Sequence, residues 1–320
     1  MTTVRTRPRP TRRRPAHERP TRTRPVWEEP PTRLGQAAKG VLVGVVLLAV
    51  LFPLWVVVLT SVSPSSAITR AGGLVVVPDG ITFAAYAELL SGGTVTRSVL
   101  VSTGITVVGT LFSTIVTLLA AYGLSRPGSF AHRPLLFAVL LTFLFGPGLI
   151  PTYLLVQSLG LLDTYAALVL PGAVAAFNLV VLRSFFMNIP QDLVDSARID
   201  GASDFGVLTR IVLPLSKGVT AVIALFYAVG YWNAFFNAFL YLNSTDKWPL
   251  QLVLRTYVLQ GQPIPGASPA DSTLDGSGGL VATLAVKMAV VVIAVVPVLV
   301  VYPFVQKHFT KGVIVGAIKG

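Results

Sequence analysis

The chain has 320 residues, 53% of them hydrophobic and only 12% charged, against about 25% charged in an ordinary soluble domain, so its composition is that of a membrane protein. Cysteine is absent, which excludes disulfides, thiolate nucleophiles and thiolate metal sites together. The formal charge of +12 has the sign of a nucleic-acid binder but not its distribution: eleven of the 25 basic residues lie in the first 39 positions, and most others flank apolar runs.

Residues 1–37 contain "TRPRPTRRRPAHERPTRTRP". Frequent proline blocks helix and ladder, and like charges repel, so the expectation is a disordered, basic cytoplasmic tail that touches anionic headgroups. No folded module accompanies it, and no nucleic-acid partner is expected. The tract does not read as a signal peptide, because its charged region is too long and no small-residue cleavage site closes the apolar run that follows.

Six apolar runs have the length of roughly 20 residues needed to cross about 30 Å of hydrocarbon. They cover approximately 38–60, 99–122, 135–157, 165–187, 218–240 and 281–305. Backbone in lipid must satisfy itself, and no period-2 pattern suggests barrel strands, so the fold class expected is an all-α integral membrane protein with six transmembrane helices. "FGPGLIP", Phe145 to Pro151, is expected to break or kink the third run. With the N-terminus inside, twenty Lys and Arg fall in cytoplasmic segments and four outside, with Lys287 inside the sixth run. That bias places both termini in the cytoplasm. The loops at about 61–98 and 241–280 then lie outside; in the second, "WPLQLVLRTYVLQG" is expected to form an interfacial helix and "PIPGASPADSTLDGSGG" a flexible connector.

Between the fourth and fifth runs stands a polar, cytoplasmic block, "DLVDSARIDGASDFGVLTRIVLP", Asp192 to Pro214. Pro190 suits a first helical turn, and Asp192 and Asp195 place negative charge near the positive end of the helix dipole. Leu193, Val194 and Ala197 share one side. Gly201 adopts the left-handed C-terminal conformation without steric cost, and Ser203 can cap a second helix in which Phe205, Leu208 and Val212 share a face before Pro214 ends it. The block thus reads as helix, glycine turn, helix, attached rigidly to the spans on both sides.

The spacing resembles the EAA loop of bacterial ABC-import permeases, E-A-A-x3-G-x9-I-x-L-P. Asp195-Ser196-Ala197 stands for E-A-A, Gly201 follows three residues on, and nine residues later come Ile211, Val212, Leu213 and Pro214. "LSKGVTAVIALFYAVGYWNAFFNAFLYL" and the closing "QKHFTKGVIVGAIKG" are similar to the sugar-importer, maltose-system (MalG-type) branch, and "FGPGLIPTYLLVQSLGLLDT" with "WPLQLVLR" to permeases for complex oligosaccharides or lipo-oligosaccharides. The resemblance implies a coupling helix that docks on a cytoplasmic ABC ATPase, with Asp195 pairing a basic ATPase residue and Gly201 making the turn. It also implies a second homologous permease, two ATPase copies, an extracytoplasmic substrate-binding protein, a saccharide substrate, and a second ATPase contact at Lys311 to Gly320.

Other chemistries find little support. The dipeptide Gly-Lys never occurs, so the chain has no Gly-x4-Gly-Lys-Ser/Thr phosphate loop and is not expected to hydrolyse ATP itself. His17, His132 and His308 fall outside the apolar runs, which leaves no His metal site and no buried Ser–His pair; no metal, cofactor or catalytic residue is expected. The rival reading is an ion-coupled secondary transporter or a channel. It would use charge inside the spans, but Lys287 sits near the outer end of its run, where it can snorkel to water, and no run carries an acidic group. For the substrate path the candidates are Tyr153 and Gln157 in the third run, Asn178 in the fourth, and Tyr231, Trp232, Asn233 and Asn237 in the fifth. Amides and aromatic faces are what a saccharide needs, although interhelical packing uses the same residues.

Overall fold

A computed structural model describes residues 32–90, 93–126, 128–259, 284–301 and 303, and among these every regular element is helical. The chain divides at Phe52–Pro53 into two compact units. Helix α1, Arg33–Ser61, is long and apolar, and its residues from Leu34 to Phe52 are almost all exposed. Short helices α2, Ser65–Arg70, and α3, Ala84–Leu89, lead into α4, Thr94–Ser125. There follow α5, His132–Leu144; α6, Leu149–Ser158; α7, Ala166–Gly172; and α8, Ala176–Met187. The polar block forms α9, Gln191–Ile199, and α10, Asp204–Leu215. Then come α11, Lys217–Trp232; α12, Phe236–Tyr241; α13, Leu250–Leu254; and α14, Leu284–Val301.

By length and composition α1, α4 and α14 can each cross a bilayer unaided. Three pairs qualify only jointly and are bent: α5 with α6 by 120°, α7 with α8 by 51°, and α10 with α11 by 86°. The expected interruption after Phe145 is therefore present, with Gly148 at φ 81° as the residue that relaunches α6. The first helix starts at Arg33, earlier than the apolar run alone indicates, and α11 stops at Trp232, well short of 240. The tract up to residue 31, the connector "PIPGASPADSTLDGSGG" and the segment Lys311 to Gly320 lie outside the described residues.

The packing centre is α4. Its buried stripe of Ser98, Ser102, Ile105, Gly109, Ser113 and Thr117 recurs every three to four residues, and its small side chains let a neighbouring helix approach closely. Against it lie α8 and α11, whose Leu179, Leu182, Phe186, Ile223, Tyr227 and Tyr231 join Ile105, Leu118 and Ala121 in one cluster. A second cluster gathers Leu59, Ile68, Val75, Leu250 and Val253 with Ala285, Val286, Ala289 and Val290 of α14. The segment expected to lie at the interface with one apolar side instead enters this core. Leu250, Leu252 and Val253 of α13 are all buried, and the Leu250 amide donates to Ser102 Oγ at 2.8 Å. The alternation of Gln251 and Arg255 with aliphatics looks amphipathic on paper; burial of adjacent positions follows from α13 lying between α4 and α14.

Candidate functional site

The polar block folds as a helical hairpin. Pro190 immediately precedes α9, and its carbonyl accepts the Leu193 amide. At the other end Gly201 takes φ 82°, its amide donates to Arg198 O at 3.0 Å, and the Ala202 amide donates to Ala197 O at 2.9 Å. These are the two bonds of a Schellman turn, which needs a left-handed residue where glycine stands. Ser203 Oγ accepts the Gly206 amide at 3.2 Å and starts α10. Midway, residues Leu208–Val212 widen into a π-type turn. That turn carries the helix past Pro214, which lacks the amide that a regular ladder would use. Pro214 therefore does not end the helix; the sharp redirection comes at Ser216, ahead of α11.

Two contacts bolt this hairpin to the end of α4, and two more brace the joint from within the hairpin and from α8. Arg126 pairs with Asp204, and Arg198 reaches the same carboxylate oxygen at 3.3 Å. The Tyr122 hydroxyl donates to Asp204 O at 2.8 Å while its ring underlies the Arg126 guanidinium, 4.2 Å away. From α8, Arg183 Nε donates to Leu124 O at 2.8 Å. The hydrogen bond and charge of Arg126, reinforced by Arg198, hold the Asp204 carboxyl below the ordinary carboxylate range. Val194, Val207, Leu208 and Val212 seat the hairpin in the core.

The residues matched to the EAA pattern divide into two groups. Asp195, Ser196 and Gly201 are exposed, as is Pro214, while Ala197, Ile211 and Leu213 are half-buried, with Ala197 and Leu213 packed against the core. Ser196 spends its hydroxyl on Asp192 O, and no partner for Asp195 occurs among the described residues. Beside them Ile199 is 86% and Phe205 69% exposed. Phe205 thus leaves the face expected for it; Val207 takes the inward position next to Leu208 and Val212. An aliphatic and an aromatic side chain flanking an acidic helix and a glycine turn form a knob without a cover. Sequence reasoning missed Ile199 and Phe205; the signal was their placement on either side of Gly201.

The candidates for a substrate path also separate. Tyr231 is buried, its hydroxyl shares a 2.7 Å hydrogen bond with Ser113 Oγ, and its ring lies over Gly109. Trp232 Nε1 donates to Ala294 O at 2.9 Å, and Asn178 is buried. Tyr227, absent from the candidate set, shares a hydrogen bond with Thr117 Oγ1 and accepts the Ala175 amide. These groups join α4, α7, α8, α11 and α14 to one another. Tyr153 is half-buried and stacked on Tyr241, while Gln157, Asn233 and Asn237 are exposed. Asn233 and Asn237 flank the stretch where α11 gives way to α12. Lys287, half-buried in α14, places Nζ 6.0 Å from the Tyr257 ring centroid.

At another junction Asp163, in the left-handed region at φ 56°, collects the segment after α12. Its Oδ1 accepts the amides of Asn243 and Ser244, and its Oδ2 accepts Ser244 Oγ and Lys247 Nζ. The hydrogen bond from Lys247, then those from Ser244, hold this carboxyl far below the usual range; Asp163 in turn raises Lys247.

Residues 113–315 match the model of the family described as binding-protein-dependent transport system inner membrane component. This chain belongs to that family. It is 48% identical over 246 residues to the polygalacturonan/rhamnogalacturonan transport system permease protein YtcP of Bacillus subtilis (strain 168), covering 77% of this chain and 85% of that one. It is 30% identical to the arabinooligosaccharides transport system permease protein AraQ of the same organism, covering 84% and 91%. Among solved structures, a chain of a bacterial ABC transporter involved in import of the acidic polysaccharide alginate superposes with TM-score 0.79 at 32% identity, covering 87% of this chain and 97% of that one. The resemblance drawn from the Asp195–Pro214 spacing therefore holds, and an inner-membrane component of a binding-protein-dependent system is a multi-pass helical protein. That membership sets the ion-coupled alternative aside.

Proposed function

We propose that residues 38–320 form the permease domain of an ATP-driven importer for an oligosaccharide, and that the hairpin α9–α10 is its coupling element. The observation that carries this is the knob around Gly201: Asp195, Ile199 and Phe205 exposed and uncovered on a hairpin fastened to α4 by Asp204. Similar chains named for polygalacturonan, arabino-oligosaccharides and alginate support a saccharide as the cargo. The chain works with a second homologous permease, two copies of a cytoplasmic ABC ATPase and an extracytoplasmic binding protein, and both of its termini are cytoplasmic. ATP chemistry belongs to the ATPase; this chain converts motion into alternating access.

The route of that motion is physical. An ATPase that closes on ATP displaces the knob; the hairpin moves as one body because its turn and cap are hydrogen-bonded. Asp204 passes the displacement to the end of α4. Along α4, Gly109 and Ser113 hold Tyr231 of α11, so the shift reaches the interruption at Asn233. Tyr231, Trp232 and Asn178 serve as struts beside the path, and Tyr153, Asn233 and Asn237 are the residues that face it. The uncovered apolar surface of α5 and α6, including Phe143, Leu144, Phe145 and Ile150, supplies area for lipid and the second permease. The test is reconstitution with these partners in liposomes. ATP-dependent uptake of an oligosaccharide supports the reading, and uptake driven by an ion gradient without the ATPase refutes it.

A further inference from the structure

We propose that Arg255, held over the Phe235 ring just past the end of α11, is a carboxylate-recognising subsite, and that the cargo is an acidic oligosaccharide built from uronate units. The inference rests on the reading of this chain as an oligosaccharide permease. Helix α11 stops at Trp232 and α12 begins at Phe236. In the gap and just beyond it Asn233 and Asn237 are exposed, with Phe236 47% and Phe239 61% exposed. Irregular backbone and exposed amides within a span are tolerated only where they line protein or water, not hydrocarbon. This surface therefore faces protein or water rather than hydrocarbon.

Arg255 comes to it from a different element. Its Cζ lies 4.4 Å from the Phe235 ring centroid, and the residue is exposed. Its position is firmly set: Leu250, Leu252 and Val253 just before it are buried, and the Leu250 amide is fastened to Ser102. Four basic residues have carboxylates, namely Arg70 with Asp79, Lys247 with Asp163, and Arg126 and Arg198 with Asp204, whereas Arg97, Arg133 and Arg210, like Arg255, have none among the described residues. Among the described residues no carboxylate lies within ion-pair distance of Arg255, and no acceptor takes its N–H groups.

A guanidinium held over an aromatic ring and bonded to no acceptor has N–H groups left for a planar, two-pronged acceptor. A uronate residue offers that acceptor together with hydroxyls for the amides of Asn233 and Asn237, and an apolar ring face for Phe236 or Phe239. A neutral sugar offers the last two and leaves the guanidinium idle. Charge-assisted bonds of this kind are roughly twice as strong as neutral ones, so discrimination between acidic and neutral cargo follows from this one side chain.

The test is equilibrium binding to the purified complex of both permeases and the ATPase, without its binding protein. The probes are trigalacturonate and the same trisaccharide with its carboxyls reduced to alcohols. The wild-type complex is expected to bind trigalacturonate at least tenfold more tightly than the reduced probe. Arg255→Gln removes that preference without changing affinity for the reduced probe, and Arg255→Lys restores only part of it. Co-purification of all subunits verifies that each variant assembles. Equal affinity for both probes in the wild type, or an unchanged preference in an assembled Arg255→Gln complex, overturns the proposal. ATP-dependent uptake of a neutral oligosaccharide by the same wild-type complex, with no preference for the acidic probe, overturns the subsite alone. Absence of ATP-dependent uptake of any saccharide overturns the importer reading and the subsite with it.

Discussion

Arg126, the residue that closes α4, pairs with Asp204, the residue that opens α10, across 78 positions of chain. This pair joins the hairpin α9–α10 to α4, against which α8 and α11 pack. Asp204→Ala and Arg126→Ala are each expected to leave insertion and assembly intact, because the hairpin keeps its core contacts. Both lower transport per ATP hydrolysed severalfold while hydrolysis continues. The ratio of sugar moved to phosphate released, in proteoliposomes, reads the effect; an unchanged ratio means that the pair is not the joint.

The same pair sets a pH expectation. The Asp204 carboxyl is depressed by Arg126 and then Arg198. A group whose folded pKa is depressed contributes fully above its unfolded value, about 3.9 for Asp, and loses its contribution as pH falls through the folded value. The coupling ratio is therefore flat from about pH 5 to 8 as far as this joint is concerned. A step in that window that disappears in Asp204→Asn contradicts the assignment.

Gly201 tests the turn. An L-residue in the left-handed region costs about 1–2 kcal/mol, and Asn tolerates it best. No atom stands within 4 Å of the position a Cβ would take, so the backbone alone decides. Gly201→Asn should couple nearly as well as the wild type, and Gly201→Val should abolish transport while the chain still inserts and pairs. Loss of insertion or of pairing with the second permease in Gly201→Val counts against a coupling role.

Gly109 tests the packing seam. A Cβ there would stand 2.9 Å from two carbons of the Tyr231 ring, whose hydroxyl is held by Ser113. Gly109→Val is expected to destabilise the assembled complex by about 1–3 kcal/mol, as overpacking does. Tyr231→Phe, which keeps the ring and loses the hydroxyl's bonds to Ser113 and to Val169 O, each worth about 0.6 kcal/mol, should shift melting less. Equal shifts would mean that ring contact is not what Gly109 is for.

Local chemistry made the hairpin legible in sequence. The turn glycine, the serine cap and the spacing to Pro214 are all settled by neighbours a few residues away, and so is the break after Phe145. What escaped was everything decided between distant elements. Nothing near Asp204 in the chain announces Arg126, and nothing near Gly109 announces Tyr231. Phe205 was assigned inward by helical spacing, but several phases of that short helix could face the core, and the one that buries Val207 turns Phe205 outward. Tyr231 and Trp232 looked like sugar ligands because a buried hydrogen-bonding strut and a saccharide contact require the same side chains. In the structure Ser113 and the Ala294 carbonyl take up their polar groups.

The most direct measurement is a tagged purification of this chain in mild detergent, scoring the ATPase and the second permease. The account predicts that both accompany the wild-type chain. In Asp195→Lys combined with Ile199→Asp, two exposed changes that spare the core, the second permease remains and the ATPase is lost. A wild-type chain that purifies alone in several detergents, or a variant that retains the ATPase in full, would contradict the claim that the hairpin is the docking element.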